Sequence, residues 1–313
     1  MHNFFYKLYF RRYNNKYLDN YNSRVIVRIF NHFLPYYYKL TASNHINRLN
    51  NKNNENREKY IVSLTTFPNR ITKVWLTIES ILRQDMKPDL FILWLYEGEF
   101  TSKSSLPDKL LQQEKRGLEI RFVKENLMPH KKYFYAMQEF PDMNIITIDD
   151  DFIYPLDMIK NLIRFHKKNP ENIYCILTRE IKINKGIILP YSNWNYIKKI
   201  TSPSYKYLTM GGGGTLFPIN SLSKEVFAKE NLIKYALKAD DLWLKIMSLK
   251  NETKVVGLGG VYPRFFIPII QNNNNRLMDS NIIGGENDRI FNELIEHYNI
   301  PKSIFEDEIV VNC

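Results

Sequence analysis

The sequence predicts an α/β fold, a mostly parallel sheet with helices on both faces. Three observations predict it. Five short runs rich in Ile, Val, Leu and aromatic residues (60–64, 90–96, 119–123, 144–148 and 173–177) are separated by stretches of helical periodicity. The runs are largely apolar rather than alternating, as strands covered on both faces must be. A chain of 313 residues, 44% of them hydrophobic, is ample for a full core.

The elements follow in order. Residues 1–59 carry eleven Lys/Arg against three Asp/Glu, so +8 of the net +11 lies there and the remainder is nearly neutral. Thirteen aromatic residues fall within residues 1–40. Basic residues interleaved with Phe and Tyr suit an anionic membrane surface, where rings sit at headgroup depth and cations meet lipid phosphates. A helical extension packed on the body is the plainer alternative; nucleic acid comes third and is not expected. Residues 41–59 are polar and Asn-rich, a linker, so the expected division is 1–59 for extension and linker and 60–313 for the catalytic domain. On that division, loss of residues 1–40 leaves the body's chemistry intact. No run reaches the ~18 apolar residues that span a bilayer, and no signal peptide is evident. With only two cysteines, a reduced cytosol is the expected compartment, with the extension free to reach the cytoplasmic face of a membrane.

The first run, 60–64, reads as a strand leading into a loop from Thr65 to Arg70. Residues 72–84 put Val74, Ile78, Ile81 and Leu82 on one helical face. A strand at 90–96, a helix at 107–116 closed by Gly117, a strand at 119–123 and a helix at 131–140 follow. The strand 144–148 runs into Asp149-Asp150-Asp151, then a helix over 154–168 and a strand at 173–177. In such sheets ligands bind beyond the carboxyl ends of the strands, so the residues just after each strand are the ones to read for chemistry.

The acidic triplet is the strongest signal. Three adjacent carboxylates repel one another, and a hard divalent cation shared with substrate phosphates relieves that repulsion. On extended backbone Asp149 and Asp151 point one way and Asp150 the other. A solvated turn capping the next helix is the competing reading. Asp240-Asp241 opens a second acidic site before the helical run 242–249; each can cap that helix or face a ligand as a general base. Four consecutive glycines, 211–214, allow close approach of backbone to a ligand, or a hinge. Lys131, Lys132 and Arg70 are candidates to neutralise a diphosphate. No phosphate-binding loop, dinucleotide fingerprint or nucleophile elbow occurs.

Taken in order, Thr65-Thr66-Phe67-Pro68-Asn69-Arg70, Ser80-Ile81-Leu82-Arg83-Gln84, the acidic triplet, the glycine run and Asp240-Asp241-Leu242 resemble the bacterial GT-A glycosyltransferases. The similarity is to family 2, especially to members found in surface-polysaccharide clusters, and covers about residues 60–260. The resemblance implies a GT-A, Rossmann-like sheet, a UDP-sugar or other nucleotide-sugar donor, a glycan or lipid-linked acceptor, and Mn²⁺ or Mg²⁺. It implies a hexosyl- or N-acetylhexosaminyltransferase. It implies Thr65 and Arg70 at base and ribose, Asp149 at ribose or metal, Asp151 at the metal, and Asp150, Lys131 and Lys132 nearby. Gly212, Gly213 and Gly214 would wall the donor sugar, and Asp241, with Asp240, would supply the base of an inverting displacement. The acidic residue usual after the second strand has no clear match in Tyr96-Glu97, and no third metal ligand stands out. A nucleotidyltransferase on a similar sheet would place a Gly-rich loop after the first strand, and 65–70 has no glycine. A non-catalytic carbohydrate binder would need neither acidic motif.

Overall fold

The computed structural model describes residues 2–11, 16–42, 57–262, 266–271 and 285–306. Most of the linker, the C-terminal cysteine and the Asn272–Asn275 run lie outside the described residues.

Two helices come first, α1 (His2–Phe10) and α2 (Lys16–Thr41). The body then alternates β1 (Tyr60–Thr65), α3 (Val74–Leu82), β2 (Leu90–Tyr96), α4 (Asp108–Glu114), β3 (Leu118–Val123), α5 (Lys131–Glu139) and β4 (Asn144–Thr147). After the acidic triplet come β5 (Phe152–Ile153), α6 (Met158–His166), β6 (Ile173–Cys175) and β7 (Thr178–Glu180). A hairpin of β8 (Ile183–Asn184) and β9 (Ile187–Ile188) precedes β10 (Asn195–Tyr196), β11 (Tyr207–Thr209) and β12 (Thr215–Phe217). The chain continues through α7 (Lys229–Ala236), α8 (Asp240–Lys250), β13 (Val255–Gly257), β14 (Ile267–Pro268) and α9 (Glu286–His297).

Seven strands form one sheet in the order β13-β6-β12-β4-β1-β2-β3. All neighbours in it are parallel except β12, which is antiparallel to both β4 and β6. Period-two alternation sorts the side chains. Val62, Leu64, Leu93 and Leu95 pack with α3, α4 and α6 on one face. Ile61, Ile92, Trp94 and Ile145 meet α5 on the other. The winding reverses between β1 and β4, so the crevice beyond their carboxyl ends is the topological switch point. Because β12 runs against its neighbours, its leading residues, the glycine run, arrive at that same end. Thr215 pairs with Thr147 on one side and Cys175 on the other.

The extension is packed on the body rather than free. Phe30, Leu34 and Tyr38 of α2 and Tyr6 of α1 bury against Trp75, Leu76, Ile153 and Ile267. His2 Nε2 bonds the Tyr154 carbonyl at 3.2 Å, Tyr6 donates to the Ile153 carbonyl, and Asn31 bridges Pro268 O and Ile270 N. Loss of residues 1–40 would uncover this apolar surface beside the acidic triplet, which weighs against a dispensable front end. The helix expected over 154–168 begins only at Met158. The residues before it are bonded to α3 instead.

Candidate active site

Two side chains of α3, and Gln84 just past its end, explain where the acidic triplet sits. Thr77 Oγ1 donates to the carbonyls of Asp150 and Phe152, both at 2.9 Å. Ser80 Oγ accepts from Tyr154 N at 3.1 Å. Gln84 donates to the Pro155 carbonyl at 2.6 Å and accepts from Ile159 N at 3.1 Å. Positions 77 and 80 share one face of the helix, and Gln84 follows on the same side as the chain leaves it. The Ser80-to-Gln84 segment therefore holds the loop that follows the triplet.

Within the triplet the alternation puts Asp150 inward. Its carboxylate accepts from Thr66 Oγ1 at 2.5 Å and from Arg70. Burial raises its pKa, against the opposing pull of Arg70. Asp149 and Asp151 stay more open, their side chains 34% and 28% exposed. Arg70 also reaches Asp151 at 3.0 Å.

Lys132, at the start of α5, is 3% exposed. Its ammonium donates to Asp149 Oδ1 at 2.7 Å and lies 2.8 Å from Asp240 Oδ2 in the first turn of α8. Burial would lower its pKa, but the carboxylates of Asp149, Asp240 and Asp241 raise it well above the ordinary value, so it stays charged. Burial likewise pushes Asp240 up, and Lys132 overrides it, leaving Asp240 below the usual range. Asp241 shifts in the opposite direction. Burial and the neighbouring Asp240 charge raise it well above an ordinary carboxylate.

Asp241 does not cap its own helix. It accepts from Gly211 N at 2.9 Å, a residue thirty positions earlier. Gly211 has no room for a side chain: a Cβ there would lie 2.7 Å from Lys132 Nζ and 3.0 Å from Asp149 Oδ1. Tyr154 Oη accepts from Asp149 N at 3.0 Å and donates to Gly212 O at 3.3 Å, tying triplet to glycine run.

The structure thus brings together Asp149, Asp150, Asp151, Arg70, Lys132, Asp240 and Asp241, with Gly212 against Asp149 and Phe152. Other expected residues lie elsewhere. Thr65 donates to the Trp94 carbonyl at 2.8 Å, and its neighbour Thr66 makes the contact to Asp150. Lys131 donates to Asn126 at 2.9 Å. Gly213 packs on the Leu177 backbone, and Gly214 has φ +73° beside Met158. Gly211 and Thr66 were not singled out from sequence; their only signal was membership of the glycine run and of the loop after β1.

Among the described residues no group of three or more His, Cys, Asp or Glu is arranged to hold a metal ion. The donor set nevertheless fits a hard cation completed by substrate oxygens. Asp149, Asp150, Asp151 and Asp240 pair with Lys132 and Arg70, and Asp149 and Asp151 are the open members of the triplet. Magnesium-type ions are commonly held by one or two carboxylates plus substrate phosphates rather than by an all-protein cage.

No family model matches the chain, and no curated protein matches it in sequence. Solved structures with a related arrangement include S. aureus TarS 1-349 in complex with UDP-GlcNAc, with TM-score 0.49 and 14% identity, covering 80% of this chain and 68% of that one. The mannosyltransferase PcManGT from Pyrobaculum calidifontis, in complex with GDP-Man and Mn²⁺, gives 0.46 and 8% over 90% and 82%. GalNAc-T7 with UDP, GalNAc and Mn²⁺ gives 0.43 and 13% over 71% and 47%. The chain spans 58% of TarS 1-349 in another of its crystal structures. At these scores the likeness assigns no activity, which has to be argued from the site residues.

Proposed function

We propose that the chain is a glycosyltransferase of GT-A type that moves a sugar from a nucleotide-sugar donor, a UDP-sugar in the first place, to a glycan or lipid-linked acceptor. The observation that carries this reading is the convergence of the triplet, Lys132, Gly211 and Asp240-Asp241 at the carboxyl ends of β1 and β4. A binding module needs no such concentration of ionised groups at a switch point, and a transferase does.

The proposed roles follow from the contacts. Asp149 and Asp151 would hold a divalent cation, Mn²⁺ or Mg²⁺. When bound, it supplies positive charge against the nucleoside diphosphate as that group departs. Arg70 and Thr66 fix Asp150, so the triplet keeps its alternation. Lys132 holds the Asp149 and Asp240 carboxylates in place. Gly211 gives the backbone its close approach, and its N–H aims the Asp241 carboxylate. A carboxylate whose pKa burial and a neighbouring charge raise is a stronger base toward a hydroxyl proton. Asp241 would take the acceptor proton as its oxygen attacks the anomeric carbon from the face opposite the leaving diphosphate, which inverts that centre. Hexosyl or N-acetylhexosaminyl transfer in surface-polysaccharide synthesis, at the cytoplasmic face of a membrane, is the setting the sequence resemblance supports. No helix among the described residues is long and apolar enough to cross a membrane.

The test is release of nucleoside diphosphate from a panel of nucleotide sugars, with Asp241→Asn as the probe. A positioned base contributes roughly 10²- to 10⁴-fold in rate. The variant should lose kcat in that range with unchanged donor affinity and stability. A fully active Asp241→Asn would remove Asp241 from the chemistry.

A further inference from the structure

α2 has three flanks. Ile26, Phe30, Leu34 and Tyr38, at four-residue steps, face the body and are buried. On an α-helix, Tyr21, Ile29, Phe33, Tyr36 and Leu40 fall within an adjoining arc of roughly 120°. Their exposures run from 40% for Ile29 to 79% for Leu40. Arg24, Arg28 and Lys39 fall on the next arc and are all exposed. Asp19 is the only acid in the first 42 residues, and it is half-buried.

We propose that this apolar flank of α2, with the arginines and lysine beside it, docks the protein on an anionic lipid bilayer. An apolar arc edged by cations is what a helix lying in the headgroup region presents, rings and Leu inward and Lys/Arg at the phosphates. A second copy of the chain fits poorly. It would bring the same cations face to face with no acid on either surface to pair them. A nucleic acid would engage the cations but leave the apolar arc in water.

The inner faces of α1 and α2 explain what docking positions. His2 and Tyr6 hold the carbonyls of Tyr154 and Ile153, and Asn31 holds the strand that pairs with β5. The bilayer would then lie about one helix diameter, roughly 10 Å, from the backbone that follows the acidic triplet. A lipid-carried acceptor would arrive there. That last step rests on the function proposed above, whereas the docking itself does not and is tested without donor.

The experiment is co-sedimentation of the full chain with phosphatidylcholine vesicles, with and without phosphatidylglycerol, at low and high salt. The chain should sediment with the anionic vesicles and be partly released by salt. Each Lys/Arg at such a surface is worth about a kcal/mol, so Arg24→Gln/Arg28→Gln/Lys39→Gln should lower partitioning about 100-fold. Phe33→Ser/Tyr36→Ser/Leu40→Ser should lose the binding that survives high salt. All six side chains are exposed, so both variants should keep the wild-type melting curve. Wild-type-like sedimentation of both variants overturns the proposal. So does wild-type chain that ignores anionic vesicles, whether it instead forms a dimer broken by the serine variant or binds nucleic acid through the cations.

Discussion

Replacement of Lys132 by Met tests how the site is held together. The substitution removes an ammonium that is 3% exposed and lies 2.7 and 2.8 Å from the carboxylates of Asp149 and Asp240. Met keeps much of the volume, so the loss is one of charge. Removing one partner of a buried ion pair costs about 3–5 kcal/mol, because the other charge is left without compensation. The stranded carboxylate can escape by taking up a proton. At pH 7 that costs about 4 kcal/mol for an ordinary carboxylate, which caps the penalty. Asp149 is partly open to water and loses less. A destabilisation of about 3–4 kcal/mol at pH 7 is therefore expected.

The pH dependence of Lys132→Met carries a sign. In the wild type Asp240 is held below its unfolded pKa and adds stability above that pKa. In the variant its folded pKa rises above the unfolded value, so stability is present at low pH and lost as pH rises. The gap between the two proteins should shrink as pH falls from 7 toward 5. Urea unfolding followed by circular dichroism at both pH values measures it. Lys131→Met, whose amino group meets only the neutral Asn126 side chain among its hydrogen-bond partners, should cost about 1 kcal/mol or less. A gap for Lys132→Met under about 1 kcal/mol at pH 7, or one that widens on acidification, would refute the reasoning.

Three further outcomes follow from buried residues. Lys245 is 2% exposed with no partner for its amino group, and burial lowers its pKa to about 7. Between pH 7 and the unfolded value near 10.4 the unfolded chain binds the extra proton, so this residue costs stability that is recovered as pH rises. Lys245→Met should raise stability by on the order of 2 kcal/mol at pH 7, with the gain fading toward pH 10; a destabilised variant in thermal melts would mean that the amino group is paired. Gly211→Ala should lower kcat/KM at least about tenfold with little change in melting, because its Cβ would press on Lys132 Nζ and Asp149 Oδ1. Gly214→Ala, strained at φ +73°, should cost about 1 kcal/mol of stability, and kinetics beside melting curves separate the two glycines.

The strands of the parallel half were legible because each is a continuous apolar run, and burial on both faces demands that. β12 was not. It is three residues long, Thr215–Phe217, and its place between β4 and β6 comes from a long-range antiparallel pairing that no local pattern encodes. The inward turn of Asp150 was legible from strand alternation. The choice of Thr66 over Thr65, and of Lys132 over Lys131, was not, because adjacent residues of one type differ only in direction. The same limit explains the glycines. The run announced a close approach, but only the packed structure shows Gly211 meeting the charged groups and Gly213 meeting the Leu177 backbone. The aromatic residues of the extension gave no sign of which would stay exposed and which would pack on the body, since Tyr and Phe serve both.

The central claim is that the acidic crevice takes a nucleotide sugar together with a divalent cation. Calorimetric titration of UDP-sugars and their free nucleoside diphosphates into the full chain, in Mn²⁺ and then in chelator, tests it most directly, with Asp151→Ala alongside. Binding to the wild type in Mn²⁺, lost in chelator and weakened at least about tenfold by Asp151→Ala at unchanged melting temperature, is the predicted result. Affinity that is the same in chelator and in the variant, or no heat from any nucleotide sugar, would contradict the account.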